Sequence, residues 1–165
     1  MEYGLALIVF VFGLIVGSFL NVVASRYNTG VSFLKGHSMC FSCGKKLSWF
    51  ELIPLISFTI QNGKCRTCKS KISWQYPIVE LISGFVFLII FMRFGVGDIP
   101  LFLYTAILAG LLIVISVYDV MHKIIPDGLV YLLVAIFAIY SFKLGNFPGI
   151  INFIILLHLC CFFFP

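Results

Sequence analysis

The stretch IPLFLYTAILAGLLIVISVY, Ile99 to Tyr118, runs for 20 residues without a charge. A helix of that length covers about 30 Å, the thickness of a bilayer's hydrocarbon core. It predicts a membrane-spanning helix, and the flanks repeat the signal. Tyr3 to Ser25 is charge-free and predicts a first span. A cleavable signal peptide would need a basic start and a small-x-small end, and only Glu2 precedes the run. Trp74 to Met92 is broken only by Glu80 and predicts a second span. Gly128 to Phe142 is apolar but short, about 22 Å as a helix. Asp127 and Lys143 can snorkel at its ends and the bilayer can thin to meet it. Gly149 to Phe164 is a fifth apolar run, behind the turn-forming Gly145-Asn146-Phe147-Pro148.

Composition agrees. Of 165 residues 62% are hydrophobic and 10% charged, and the mean hydropathy is +1.15. That excludes an ordinary water-soluble enzyme, whose charged fraction is near a quarter, and it excludes disorder. The net charge of +5 could suggest nucleic acid, but its distribution points elsewhere. Eight of the 11 cations lie between Arg26 and Lys71, with Glu51 the one acid among them. A short, strongly basic loop between spans marks the cytoplasmic side. The expectation is an all-α polytopic membrane protein in the lipid bilayer, with about five transmembrane helices, an outside N-terminus and no nucleic-acid partner. Residues 1–25 form the first span, 26–73 a small cytoplasmic loop domain and 74–165 the remaining membrane region.

The loop carries Cys40-Phe41-Ser42-Cys43 and Cys65-Arg66-Thr67-Cys68. Two C-x-x-C pairs at this separation can close a tetrahedral zinc site, zinc-ribbon-like, each pair on a tight knuckle. Gly44 and Gly63 offer the permissive backbone that knuckles need. Free thiols and redox chemistry are the other readings, and a reducing cytoplasm disfavours disulfides. A four-cysteine site is coordinatively full, so its metal would be structural. Cys160 and Cys161 lie in the last apolar run and read as packing residues.

Ionisable residues near membrane spans mark functional sites by default. Glu80 lies about one turn inside the second span. Its readings are structural pairing, with a cytoplasmic-side cation or with polar groups of the first helix such as Asn21, and a substrate-site role. Asp119 is the first charge after the third span, either an interfacial anchor or a catalytic acid. Asp127 follows in Ile124-Ile125-Pro126-Asp127, where Pro126 suits a helix start and places Asp127 in the first turn of the next helix.

Several motifs in order resemble the type IV prepilin peptidases, the aspartic leader peptidases of pilus, type II secretion and competence systems. They are Gly17-Ser18-Phe19-Leu20-Asn21 through Arg26, Ser38-Met39-Cys40 through Gly44, Leu47-Ser48-Trp49, and Glu51-Leu52-Ile53-Pro54-Leu55-Ile56-Ser57. Gly63 through Cys68, Tyr76-Pro77-Ile78-Val79-Glu80-Leu81, Asp119 and Ile125-Pro126-Asp127 complete the set. The resemblance covers about residues 13 to 135. His37 and Gln75 depart from it, since basic residues are usual at those places. It implies a bacterial inner-membrane aspartic endopeptidase that cuts the basic leader of prepilins or pseudopilins at the cytoplasmic face. Asp119 would be a catalytic aspartate, and Cys40, Cys43, Cys65 and Cys68 the zinc ligands. It also implies N-methylation of the new N-terminus with S-adenosylmethionine, for which no sequence motif is readable here.

The family's second catalytic aspartate lies in a Gly-x-Gly-Asp motif after the fifth helix, and the sequence given ends at Pro165, before that point. Gly95-Val96-Gly97-Asp98 matches the pattern literally. Yet it lies between the second and third spans, on the outer side, with a helix holding it about 30 Å from Asp119. It is read as a coincidence, and His158 in the final run as the product of a frameshift or premature stop or as a packed helix residue, not a catalytic base. The expectation is a C-terminally truncated peptidase, inactive by itself. The alternative is a non-catalytic membrane remnant or zinc-binding scaffold that binds prepilin or a paralogue.

Overall fold

The computed structural model describes residues 2–32, 37–95 and 97–143. Lys35, the Gly145–Pro148 turn and the run from Gly149 to Phe164 with His158, Cys160 and Cys161 lie outside the described residues. Among these residues five α-helices follow one another: α1 Glu2–Arg26, α2 Ile56–Ile60, α3 Gln75–Phe94, α4 Ile99–His122 and α5 Asp127–Lys143. A single 3-10 turn, Trp49–Leu52, precedes α2. α1, α3 and α4 are long and apolar enough to cross a membrane, and α5 is a shorter apolar helix. The architecture is all-α, with a small four-cysteine domain between α1 and α3.

α1 packs along α3, and both meet α4, which in turn meets α5. Small residues set the α1–α3 approach. A Cβ on Gly13 would stand 2.9 Å from the Gly84 Cα, and one on Gly17 would stand 2.6 Å from the Ser83 hydroxyl oxygen. Where lipid removes the hydrophobic drive between helices, such close backbone contact is what holds them. Phe10 and Phe85 meet edge to face at 5.2 Å beside it. Nearer the four-cysteine domain, Ala24, Val79, Val114 and Val117 form the buried core, with Leu20 and Leu129 against it. Outward faces remain apolar, with Leu7, Ile8, Ile15, Ile82, Ile89, Leu103 and Ile107 exposed, as a lipid-facing surface requires.

The helices outrun their charge-free stretches. α4 continues past Tyr118 to His122, so Asp119 sits in its last turn rather than in the connection to α5. A charge marks where the membrane ends, not where hydrogen bonding ends. The stop comes at Lys123, in the left-handed conformation (φ 57°), whose N–H donates to the Asp119 carbonyl at 2.7 Å. α5 starts at Asp127, and the carbonyl of buried Pro126 accepts from Leu129 and Val130 at 3.0 and 3.2 Å.

Candidate functional site

The two cysteine pairs fold as twins. In the first, the Cys40 N–H donates to the Lys45 carbonyl at 2.9 Å and the Gly44 N–H returns to the Cys40 carbonyl at 2.9 Å. In the second, the Cys65 N–H donates to Ser70 at 2.9 Å and the Lys69 N–H returns to Cys65 at 3.0 Å. One antiparallel bridge closes each knuckle, Met39 with Lys46 and Lys64 with Lys71. Gly44 supplies the positive φ of the first knuckle, as expected. In the second that place belongs to Lys69 (φ 59°), while Gly63 (φ 64°) ends α2 instead. Spacing alone did not show this. Counting four residues on from each leading cysteine would have.

The knuckles bring the four sulfurs within 4.8 Å of one another. Cys40 Sγ lies 3.8 Å from Cys68 Sγ, and a tetrahedron with zinc–sulfur bonds of 2.3 Å has edges of about 3.8 Å. Cys65 is buried and Cys40 half-buried. Ser70 sets its hydroxyl 3.1 Å from Cys68 Sγ and 3.6 Å from Cys40 Sγ. The Cys43 N–H, the Ser70 hydroxyl and the Ser42 N–H draw the Cys40 thiol down to about 6. Cys43 goes up to about 11, because the help of the Lys45 N–H is outweighed by lost hydration and by the neighbouring sulfurs of Cys68 and Cys40. Four sulfurs this close cannot all ionise without a cation among them. The donor set therefore fits a divalent metal that prefers thiolates.

Glu51 braces the first knuckle. Its carboxylate accepts the Ser48 N–H at 2.9 Å and lies 3.6 Å from the Lys45 ammonium. Below it the chain makes a tight turn at Leu55 (φ 59°, ψ −45°). The Ile56 N–H reaches back to the Pro54 carbonyl at 2.6 Å, the three-residue γ-turn in its strained positive-φ form. The free Leu55 N–H goes to the Glu80 carboxylate at 2.9 Å. Glu80 is therefore structurally paired: besides the Leu55 N–H it takes a hydrogen bond from the Ser18 side chain of α1, a polar group of the first helix as expected, although not Asn21. No cation pairs with it among the described residues. The Asn21 amide instead donates to the carbonyls of Gly17 and Tyr76, both at 3.4 Å. A cavity of about 390 Å³ opens between the ends of α1 and α3 and the four-cysteine domain, with Cys40, Cys65, Glu51 and Glu80 in its wall.

Asp119 is half-buried in the last turn of α4, beside an aromatic cluster in which Tyr118 stacks on His122 at 4.2 Å and meets Tyr27 edge-on at 5.5 Å. Asp127 is exposed in the first turn of α5. Asp98 is exposed and caps the far end of α4, accepting the Leu101 N–H at 3.1 Å. With α4 between them, Asp98 and Asp119 stand about 30 Å apart.

The family model of the bacterial peptidase A24 N-terminal domain matches residues 11–94. Among curated proteins, the prepilin leader peptidase/N-methyltransferase of Myxococcus xanthus is 40% identical over 123 residues, which is 73% of this chain and 36% of that protein. The protein of the same name from Bacillus subtilis is 38% identical over 121 residues, 73% of this chain and 48% of that protein. The Vibrio cholerae protein of that name is 43% identical over 90 residues, 49% of this chain and 35% of that protein. The chain thus spans about a third to a half of the length of these relatives. No solved structure matches it.

Proposed function

Since the chain belongs to the family of the bacterial peptidase A24 N-terminal domain, we propose that it serves prepilin processing: cleavage of the basic leader and N-methylation of the new N-terminus. The observation that carries this reading is the join of the family match with a helix that carries in its last turn, just past 20 charge-free residues, the half-buried carboxylate of Asp119. A substrate with a basic leader in water and an apolar helix in lipid must be cut at that depth. The basic loop puts the four-cysteine domain and Asp119 on the cytoplasmic side.

Asp119 is then one of two carboxylates that share a proton, since two close acids cannot both stay ionised. One takes a proton from the attacking water and the other polarises the scissile carbonyl. The partner is the aspartate that the resemblance places in a later Gly-x-Gly-Asp motif. Asp98 is spent on capping α4, and Asp127 sits at the start of α5. Zinc held by Cys40, Cys43, Cys65 and Cys68 fixes the two knuckles against each other and so shapes the cavity that Cys40 and Cys65 border. S-adenosylmethionine supplies the methyl group when bound. The cavity's volume lies in the range of small-molecule sites, and its wall offers polar side chains such as Ser57 and Gln61 to such a ligand.

The test is made in a chain of full family length co-expressed with a prepilin. Asp119→Asn should lower cleavage by several orders of magnitude, and Asp98→Asn should leave it unchanged. Wild-type-like cleavage by Asp119→Asn overturns the assignment.

A further inference from the structure

Glu80 is a buried acid that the peptidase reading leaves unused. It is 7% exposed, and it lies where α3 enters the membrane. One carboxylate oxygen accepts the Leu55 N–H at 2.9 Å, and the carboxylate also accepts a hydrogen bond from the Ser18 side chain of α1. A carboxylate has room for about four hydrogen bonds, so about half of its accepting capacity is unfilled. Among the described residues no lysine, arginine or histidine pairs with it. A buried carboxylate without a counter-charge is costly. The group is nonetheless held in place, by a backbone N–H offered from a strained turn.

The carboxylate also faces space. The cavity of about 390 Å³ between α1, α3 and the four-cysteine domain has Glu80 in its wall, with Ser18, Ser57 and Gln61 as further side-chain acceptors. Met39, Leu52 and Phe58 supply the apolar part of the same wall. Two cations share the wall, Arg26 and Lys71: the Arg26 guanidinium donates to the Ser32 carbonyl at 3.0 Å and to the His37 carbonyl at 3.2 Å, and neither cation forms an ion pair with Glu80 among the described residues. A site with one uncompensated carboxylate, several neutral oxygen acceptors and an apolar flank suits a ligand that ends in a primary ammonium next to carbon.

We propose that this cavity binds an α-ammonium group, with Glu80 as its counter-ion. The proposal deepens the methyl-transfer half of the reading above and rests on it for why an amine would be brought here. Two ligands of that chemistry fit it: the free N-terminus of a peptide, and the amino-acid end of the methyl donor. An amine held there can hand a proton to the Glu80 carboxylate, which frees the nitrogen lone pair. The strained turn at Leu55 is then accounted for, because its N–H holds the carboxylate in place while leaving it accepting capacity for the ligand.

The experiment measures equilibrium binding to this chain, purified in detergent with its zinc retained, and needs neither cleavage nor methylation. One arm compares a short apolar peptide having a free N-terminus with the same peptide N-acetylated. The other compares S-adenosylhomocysteine with its N-acetyl derivative. At least one free amine should bind roughly tenfold or more tightly than its blocked form, the worth of a charge-assisted pair. The arm that shows the preference names the source. Glu80→Gln keeps an oxygen for the Leu55 N–H and removes the charge, so it should abolish the preference while zinc content stays at the wild-type level. Equal binding of free and blocked forms in both arms overturns the proposal, and that comparison needs no variant. A preference that survives in Glu80→Gln overturns it as well. Cleavage by Asp119→Asn in the full-length enzyme would defeat the peptidase assignment and leave this measurement standing, so the two can fail separately.

Discussion

Gly44 and Lys69 occupy the same place in the two knuckles. Each stands four residues beyond the leading cysteine, with φ of 69° and 59°, and each returns its N–H to that cysteine's carbonyl at 2.9 and 3.0 Å. Only one of them is a glycine. The left-handed conformation costs a residue with a Cβ about 1–2 kcal/mol, so the second knuckle carries strain that the first does not.

Exchanging the two should therefore act in opposite directions. Gly44→Ala should destabilise the zinc-bound domain by about 1 kcal/mol, and Lys69→Gly should be neutral or stabilise it by up to about 1 kcal/mol. Thermal unfolding in detergent at fixed zinc concentration reads both. A loss of stability in Lys69→Gly as large as that in Gly44→Ala would show that the twin geometry is not what sets these positions.

The four sulfurs within 4.8 Å lead to a metal count. Purified chain should hold about one zinc per molecule, and the quadruple Cys→Ser variant should hold none. Cys65→Ser should be the most damaging single change, because Cys65 is the buried member of the set. Elemental analysis after dialysis measures all of these. A strong chelator should also lower the unfolding temperature of wild type but not that of the quadruple variant.

The α1–α3 contact separates glycines that look alike in sequence. A Cβ on Gly17 would meet the Ser83 side chain at 2.6 Å and the Glu80 Cα at 3.0 Å, whereas one on Gly4 meets nothing within 4 Å. Gly17→Ala should cost about 1–3 kcal/mol of stability as the helices are pushed apart. Gly4→Ala should cost nothing measurable. Unfolding in mixed detergent, followed by circular dichroism, distinguishes them.

Glu51 sets a pH dependence. The Ser48 N–H, and after it the Lys45 ammonium, hold its carboxyl below the ordinary value of 4.5. A depressed folded value means that its contribution is present in full above 4.5 and is lost as pH falls through the lower, folded value. Wild type should thus exceed Glu51→Gln in stability at pH 7, and the gap should close in acid below 4.5. Trp49, adjacent in the same 3-10 turn, offers a fluorescence signal for both titrations. A gap that widens in acid contradicts the sign.

The sequence by itself determined what depends on neighbours along the chain. Inside a bilayer every backbone group must be paired within its own segment, so a charge-free run of 20 residues has one outcome, and α1, α3 and α4 were legible from the gaps between charges. The C-x-x-C spacing is likewise local, since each pair closes its own knuckle. The tertiary structure decided what joins distant residues. That Leu55 gives its N–H to Glu80, 25 positions away, follows from how the four-cysteine domain settles on the membrane helices. No periodicity encodes it. That Gly13 and Gly17, but not Gly4, face α3 depends on the line along which two uniformly apolar helices meet. Lys69 and Lys123 take left-handed turns where glycine would be expected, because hydrogen bonds to Cys65 and Asp119 hold them there. Asp119 stands out in the sequence as a charge at the end of a span, but its place inside the last turn of α4 is set by backbone bonding that continues past the apolar stretch.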